Sequence, residues 1–567
     1  MTEQFDISDL ASLGVKINQL ATDSRLLKKG EVFLAFPGVG ESSADGRDFI
    51  AQAIRAGASA VLWEAGGYAW NPEWRVPNLP VANLRERAGA IASHVYGYPS
   101  QNLSLVGITG TNGKTSCSHW IAQAMNALGK KTAVIGTLGN GFLGALETTP
   151  HTTPDAVTLQ KRLAQFLTQG ASVVAMEVSS HGLEQGRVNG AQFSTALLTN
   201  VTRDHLDYHG DMAAYTRAKA KLFAAPGLKA AVLNLDDAVG AAWIRQWREL
   251  KTYPAHPAEV IAYGFNEAAL HTPPARGNGE KLRSVKSVIG HNLKLGSNGT
   301  RFDIDSSWGA ASLKSAMVGR YNAANLLAVL ATLLANGTKL QDAVKAMAHL
   351  RPVPGRMQQL GGGSLPLVVV DYAHTPDALE KVLSALREIL EYEDGQGDGS
   401  ERRIPSPRPL PNGARVRAAP LRGGRDETKF KIQNSKLICV FGCGGDRDSG
   451  KRPLMGQLAA QLADEIVITS DNPRNELPET IIKHIVAGVV KAGADYQLEE
   501  DRYTAIVKAV LAARPGDVVL VAGKGHEAWQ EIRGTKIPFN DVAVAREALR
   551  EWALDWGVEQ GVGRGAR

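Results

Sequence analysis

A glycine-rich turn between a strand and a helix constrains the fold of this chain most. Leu103-Ser-Leu-Val-Gly-Ile108 is a short apolar run that reads as a buried strand. The turn Gly107-Ile-Thr-Gly-Thr-Asn-Gly-Lys-Thr115 follows it, and 116–128 continues at helical spacing. In that context glycines let backbone N–H groups turn toward an anion, and the helix N-terminus adds its positive dipole. Lys114 is then placed for β/γ-phosphates and the Thr115 hydroxyl for Mg²⁺. The spacing departs from the strict phosphate-loop pattern, since the residue six before Lys114 is Ile108, not glycine. A plain glycine-rich turn is the alternative, and the Gly-Lys-Thr triplet favours phosphate.

This unit predicts an α/β architecture, and the rest of the chain extends it. At roughly 100–200 residues per domain, 567 residues suggest three to five domains. Residues 1–100 hold weak strand signals at 31–36 and 60–63 between helical stretches, a small α/β domain. A central domain over 101–354 adds apolar runs at 172–176, 195–198 and 230–233, then a β-rich appendage over 260–316 and a helix over 321–336. Arg351-Pro-Val-Pro-Gly355 breaks the chain. Beyond it, 355–567 carries strand-like runs at 367–370, 437–441, 465–469 and 518–521. Helical segments at 376–391, 481–492 and 504–514 separate them, which predicts a doubly wound sheet. Segment 392–436 interrupts this pattern with five prolines between 405 and 420 and no periodicity, and is expected to be a disordered insertion.

The net charge of +6 invites a nucleic-acid reading, but its distribution argues against one. Segment 401–436 has ten Lys/Arg and three Asp/Glu, so the other 531 residues sum to −1. The longest clean apolar stretch, 326–335, is about half of what a bilayer span needs, so no membrane span is expected. Met1-Thr-Glu-Gln-Phe-Asp6 lacks the basic start and apolar run of a secretory signal. Cys117, Cys439 and Cys443 are too few for a disulfide framework or a four-ligand zinc site. A reducing, cytoplasmic setting is expected.

Further polar clusters sit at predicted strand ends. In Met176-Glu-Val-Ser-Ser-His-Gly182, Glu177 reads as a metal ligand, a base or a capping group. Thr199-Asn-Val-Thr-Arg-Asp-His-Leu-Asp-Tyr-His-Gly210 has two Asp and two His within six residues, a metal or phosphate site or a polar loop. In the last third, Asp371-Tyr-Ala-His-Thr-Pro-Asp377, Gly442-Cys-Gly-Gly-Asp-Arg-Asp-Ser-Gly-Lys-Arg452, Ser470-Asp-Asn-Pro-Arg-Asn-Glu476 and Ala522-Gly-Lys-Gly-His-Glu527 each follow an apolar run. Strand carboxyl ends form the ligand crevice of open α/β sheets, so four such loops point to one site.

Together these motifs, with Tyr321-Asn-Ala-Ala-Asn325 and Gly355-Arg-Met357, closely resemble the Mur ligase family of peptidoglycan synthesis, from Asp23-Ser-Arg25 to Gly523-Lys-Gly-His-Glu527. The resemblance implies three domains: an N-terminal one for a UDP group, a central ATPase and a C-terminal Rossmann-like one for an amino acid. It implies ATP-dependent addition of meso-diaminopimelate to the D-glutamate of UDP-N-acetylmuramoyl-L-alanyl-D-glutamate through an acyl phosphate. It further implies that Gly110, Thr111, Asn112, Gly113, Lys114, Thr115 and Ser116 hold the ATP phosphates, with Asn325, Arg356 and His374 at base and ribose. Mg²⁺ would be held by Thr115 and Glu177, and a second Mg²⁺ by His205. Lys219 matches a carbamylated lysine, whose anionic carboxylate would be a further metal ligand, in preference to Lys221.

For the nucleotide-sugar dipeptide the matching positions are Thr22, Ser24, Ser42, Ser43, Ala44, His151, Thr152, Thr153, Ser179, Gln185 and Arg187, with His151 standing where asparagine is expected. For diaminopimelate they are Arg447, Asp471, Asn472, Pro473, Arg474, Gly523 and Glu527. A monomer is expected. The rival readings are a lysine-adding or folylpolyglutamate synthetase-like ligase, a nucleic-acid-dependent ATPase, and an inactive interaction protein. Arg474 decides the first, because a distal carboxylate calls for a forked cation and lysine has none. The basic charge confined to one segment argues against the second, and intact Lys114, Thr115, Glu177 and His205 against the third.

Overall fold

The computed structural model describes residues 5–39, 44–149, 151–249, 259–266, 284–296, 299–393 and 435–556. The expected insertion at 392–436 lies outside the described residues over 394–434, as do Ser42 and Ser43.

The first sheet is parallel, in the order Leu20–Ala21, Val32–Ala35, Ala60–Glu64, Asn78–Val81. Its period-two alternation is used on both faces. Val32, Leu34 and Leu62 pack beneath helix Leu84–Val95, whereas Phe33, Val61 and Trp63 pack against helix Ile50–Arg55. Burial on both sides explains runs that read as continuous apolar rather than alternating.

Among the described residues the central sheet has eleven strands. Seven of them form a parallel core in the order Lys286–Gly296, Glu259–Gly264, Ala230–Asn234, Thr195–Leu198, Ser104–Thr109, Val173–Glu177, Thr132–Gly136. Antiparallel strands close both edges: Gly299–Ser306 and Gly309–Ser315 at one, Gly139–Phe142 and Ala145–Glu147 at the other. Helices Lys114–Ala127 and Arg320–Ala335 cover one face; Ala156–Thr168 and Met212–Phe223 cover the other. The β-rich segment at 260–316 is therefore not an appendage. Glu259–Gly264 pairs in parallel with Ala230–Asn234, so its ladder hydrogen bonds make it an extension of the central sheet.

The third sheet runs Gln358–Gly361, Leu367–Asp371, Val518–Ala522, Leu437–Phe441, Glu465–Ile468, Gln497–Leu498, parallel except for the first. Helices Pro376–Glu393, Lys451–Leu462 and Pro478–Lys491 pack on one face, Arg502–Ala512 and Asp541–Asp555 on the other. This is the expected doubly wound arrangement. A hairpin, Trp529–Ile532 with Thr535–Pro538, follows the last parallel strand. Cys117, Cys439 and Cys443 are buried and free. No helix among the described residues is long and apolar enough to cross a membrane.

Candidate active site

The turn after Ser104–Thr109 is shaped by two glycines with positive φ, Gly110 and Gly113. A Cβ on Gly110 would run into the Thr199 hydroxyl, and one on Gly113 would meet Asn325 Oδ1 at 2.6 Å. Both positions therefore need glycine. The loop is fixed from the neighbouring strand end. Asn200 O accepts from Thr111 N at 2.8 Å, and Asn200 Oδ1 from Asn112 N at 3.0 Å.

Lys114 folds back over the loop and donates to Gly110 O and Thr111 O at 2.9 and 2.8 Å. Lys219 is fully buried and donates to the same Gly110 O at 2.8 Å, with its ammonium 4.3 Å from the Tyr215 ring centroid. Two cations thus converge on one carbonyl. Loss of solvent lowers both pKa values, and Lys114 pushes Lys219 further down, well below the ordinary lysine value. The exposed Lys221 instead pairs with Glu184 at 2.8 Å. Two residues apart on one helix, the lysines point to different environments.

Glu177, fully buried at its strand end, accepts from Thr115 Oγ1 at 2.9 Å, Thr137 N at 2.9 Å and Thr137 Oγ1 at 3.1 Å. Thr137 Oγ1 lies 3.0 Å from Thr152 Oγ1. Arg187 donates to Thr153 O at 2.9 Å and to Gln185 Oε1 at 2.9 Å, while Thr153 Oγ1 donates to Ser179 Oγ at 3.1 Å. Thr152, Thr153, Ser179, Gln185 and Arg187 are thus tied into one polar patch beside Glu177. His151 is exposed next to it, its carbonyl accepting from Thr149 Oγ1 at 3.1 Å.

His205 sits in the left-handed region, φ 53°, with Nε2 3.4 Å from Asp204 Oδ2. Loss of solvent lowers its pKa to about 4 against the pull of Asp204. His181 stacks edge-on against it at 4.7 Å. Ser116 is buried in the first turn of the helix after the loop.

The third domain closes over this loop. Asn112 Nδ2 donates to Asp377 Oδ2 at 2.7 Å, and Arg356 Nη2 to Thr115 Oγ1 at 3.2 Å. The Arg356 guanidinium lies over the Tyr372 ring at 4.5 Å. Tyr372 O lies 2.8 Å from Nδ1 of His374, whose pKa burial lowers to about 4. A cleft of about 380 Å³ opens beside Arg356, lined also by Asn322, Val353, Pro354 and Met357. Sequence reasoning missed these other lining residues, although the motifs containing Asn322 and Met357 were in view.

The loops after Val518–Ala522, Leu437–Phe441 and Glu465–Ile468 meet at the same end of the sheet. Asn472 Nδ2 donates to Glu527 Oε2 at 2.8 Å, and Asn472 Oδ1 accepts from Glu531 N at 2.9 Å. Gly523 packs directly on the Asp471 carboxylate. Arg474, next to Pro473, has φ 51°, and hairpin hydrogen bonds clamp its backbone: Arg474 N donates to Glu531 O at 3.0 Å, and Arg533 N to Arg474 O at 2.7 Å. Its Nη1 donates to Gly445 O at 2.7 Å and its Nε lies 3.4 Å from Glu531 Oε2. Non-glycine residues held at positive φ concentrate at functional sites, and Arg474 and His205 both do so here. Arg447 stays at the rim, donating to Asp446 O at 3.3 Å.

In the first domain, Ser24 Oγ donates to Gln52 Oε1 at 3.1 Å, and Ala44 is exposed. Among the described residues Thr22, Ser24 and Ala44 make no hydrogen bond to the central cluster, so the structure leaves them apart from it.

Three family models match this chain: the Mur ligase family catalytic domain at 16–96, the Mur ligase middle domain at 108–333 and the Mur ligase glutamate ligase domain at 426–525. A UDP-N-acetylmuramoyl-L-alanyl-D-glutamate–2,6-diaminopimelate ligase of Nitrosomonas europaea is 49% identical over 544 residues, 96% of this chain and 95% of its own. The chain belongs to the Mur ligase family. The ligase of the same name from Chromobacterium violaceum is 50% identical, covering 97% of each chain. A solved structure bearing that name superimposes with a TM-score of 0.59 at 34% identity, covering 94% of this chain and 95% of its own. A Mur ligase of Thermotoga maritima solved with ADP shares the fold, with a TM-score of 0.55 at 17% identity, covering 94% of this chain and 96% of its own.

Proposed function

We propose that this Mur ligase joins meso-diaminopimelate to the D-glutamate of UDP-N-acetylmuramoyl-L-alanyl-D-glutamate, with ATP, in cytoplasmic peptidoglycan precursor synthesis. It acts as a monomer of three units, 1–100, 101–354 and 355–567, that take the UDP group, ATP and the amino acid. The observation that carries this reading is the Asn112–Asp377 hydrogen bond, which joins the lysine-lined loop to the Asp371–Asp377 loop of the third domain.

Gly110 to Ser116 cradle the phosphates, with Lys114 released from its carbonyls to offset their charge. The cleft beside Arg356 takes the base and ribose, with Asn325 and His374 nearby. The buried Thr115 hydroxyl and Glu177 carboxylate are hard oxygen donors. Two oxygens and no cage of three or more acidic, His or Cys side chains among the described residues suit Mg²⁺, which fills its shell with phosphates and water. Mg²⁺ held there by Thr115 and Glu177, and a second ion held by His205, would supply charge neutralisation to the ATP phosphates. Burial and the neighbouring Lys114 disfavour the charged form of Lys219, and the neutral amine is the form that adds CO₂ to become an anionic carbamate.

Thr22, Ser24, the 42–44 turn and the patch from His151 to Arg187 hold the nucleotide-sugar dipeptide. Its γ-carboxylate attacks the γ-phosphorus and ADP leaves. The incoming amine attacks the acyl phosphate, and the tetrahedral intermediate expels phosphate. The residues contribute alignment and charge stabilisation.

The test is phosphate release with UDP-muramoyl-dipeptide, ATP and a panel of amino acids. Release with diaminopimelate and little with lysine is expected; preference for lysine or for a glutamyl-folate acceptor would replace this reading. Selectivity rests on Arg474 with the distal carboxylate. Truncating one side of a desolvated charge pair costs about 2–5 kcal/mol, on the order of thirty- to several-thousand-fold. Arg474→Ala therefore raises the diaminopimelate KM steeply and leaves the KM for ATP and nucleotide-sugar nearly unchanged. Arg474→Lys recovers part, because an ammonium lacks the fork. The comparison to make is kcat/KM for diaminopimelate over lysine in each variant; an unchanged ratio assigns selectivity elsewhere, with Arg447 next.

A further inference from the structure

Lys524 is a lysine whose side chain is entirely buried in the wall of the amino-acid pocket. Its backbone lies in the turn after Val518–Ala522, between Gly523 and Gly525, both at positive φ. Glu527 N donates to Lys524 O at 2.9 Å and closes that turn. The side chain runs inward, where Nζ donates to Asn472 Oδ1 at 2.9 Å and to Glu527 Oε2 at 2.8 Å. A buried ammonium is costly unless paired, so a fold that keeps one uses its partners for something. Here both partners are residues assigned above to the incoming amino acid.

The network fixes the orientation of each. Asn472 Oδ1 accepts from Lys524 Nζ and Glu531 N, so its NH₂ faces the Glu527 carboxylate, to which it donates at 2.8 Å. Among the described residues, both side-chain hydrogen bonds to Glu527 fall on Oε2. Oε1 carries neither of them. The distal centre of diaminopimelate carries an ammonium beside its carboxylate, and a carboxylate tied to Asn472, two residues from Arg474 in the chain, matches such a pair.

We propose that Lys524 is a positioning residue for the amino-acid substrate, holding Asn472 and Glu527 in the orientation that receives its distal ammonium. The inference rests on the reading of this pocket as the diaminopimelate site. Lys524 touches no substrate; it acts through Glu527, as the ammonium behind the carboxylate.

The experiment is a double-mutant cycle in steady-state kinetics with the full-length enzyme. Lys524→Met raises the diaminopimelate KM tenfold or more, with kcat at saturation and the KM for ATP and nucleotide-sugar within about threefold. In the Glu527→Gln background the same change shifts KM by a smaller factor than in the wild type, since only the Asn472 contact is left to orient. Lys524→Gln, which keeps a donor in the same volume, falls between. A fall in kcat with unchanged diaminopimelate KM, or additive effects in the cycle, overturns the proposal. So does failure of both Lys524 variants to fold with wild-type ATP affinity, which would make the lysine structural. A wild-type enzyme that does not turn over diaminopimelate sinks the functional reading itself, a result separate from any of these.

Discussion

Lys114→Ala leaves a folded protein that scarcely turns over. Among the described residues the Lys114 ammonium donates to two backbone carbonyls and to no side chain, and loss of solvent holds its pKa below the ordinary lysine value. In the folded state that charge is therefore a cost, and removing it does not unfold the chain. Its return comes only when an anion arrives. Deleting one preorganised donor to developing negative charge typically lowers kcat by about 10²–10³, and a full positive charge at a phosphate falls at or beyond the upper end. The measurements are phosphate release and thermal unfolding in parallel. Turnover within tenfold of wild type, in a variant with unchanged melting, would remove Lys114 from the phosphate site.

Lys219→Ala is equally severe for a different reason. Lys219 is desolvated and crowded by Lys114, and both hold its pKa well below the ordinary lysine value, which disfavours its charged form. As a carbamate it becomes an anion beside Lys114, reversing the repulsion between the two groups. The alanine variant loses that anion, and a short carboxylic acid such as acetate, entering the vacated space, restores part of the activity. Carbon-13 bicarbonate provides a readout independent of turnover: wild type shows a carbamate resonance that the variant lacks. Lys221→Ala, which removes a surface pair with Glu184, stays within a few-fold of wild type. Loss of activity in Lys221→Ala with Lys219→Ala intact would transfer the role.

Most strands buried on both faces were legible, because burial forces an unbroken apolar run, although Thr132–Gly136, buried at every position, was not read. Leu437–Phe441 and Val518–Ala522 are buried at every position. The antiparallel strands added at the flank of the central sheet were not. Gly139–Phe142 and Ala145–Glu147 are short, rich in glycine or polar at one side, and exist because a neighbour offers a ladder. The segment at 260–316 misled for a related reason. Its alternation is genuine, but alternation says nothing about which sheet a strand joins.

At the site, chemistry carried by one contiguous motif could be read directly, as in Gly110–Thr115. What could not be read is the support between motifs. Lys524 meets Asn472 from 52 residues away, and Glu531 braces Arg474 from a hairpin with no composition signal of its own. The cleft beside Arg356 exists only once Pro352–Gln359 packs against Ala316–Asn322.

The clamp on Arg474 bears on how such pockets can be transplanted. The left-handed backbone at Arg474 is sustained by Glu531 O and Arg533 N, across a gap of almost sixty residues. Left-handed geometry at a non-glycine residue costs of order 1–3 kcal/mol when nothing supports it. A graft of Asp471–Arg474 onto another scaffold would carry the letters of the motif without its shape. The Trp529–Pro538 hairpin has to travel with it, so the heritable unit of this pocket is a pair of distant segments, and recombination breakpoints between them would separate the arginine from the geometry that aims it.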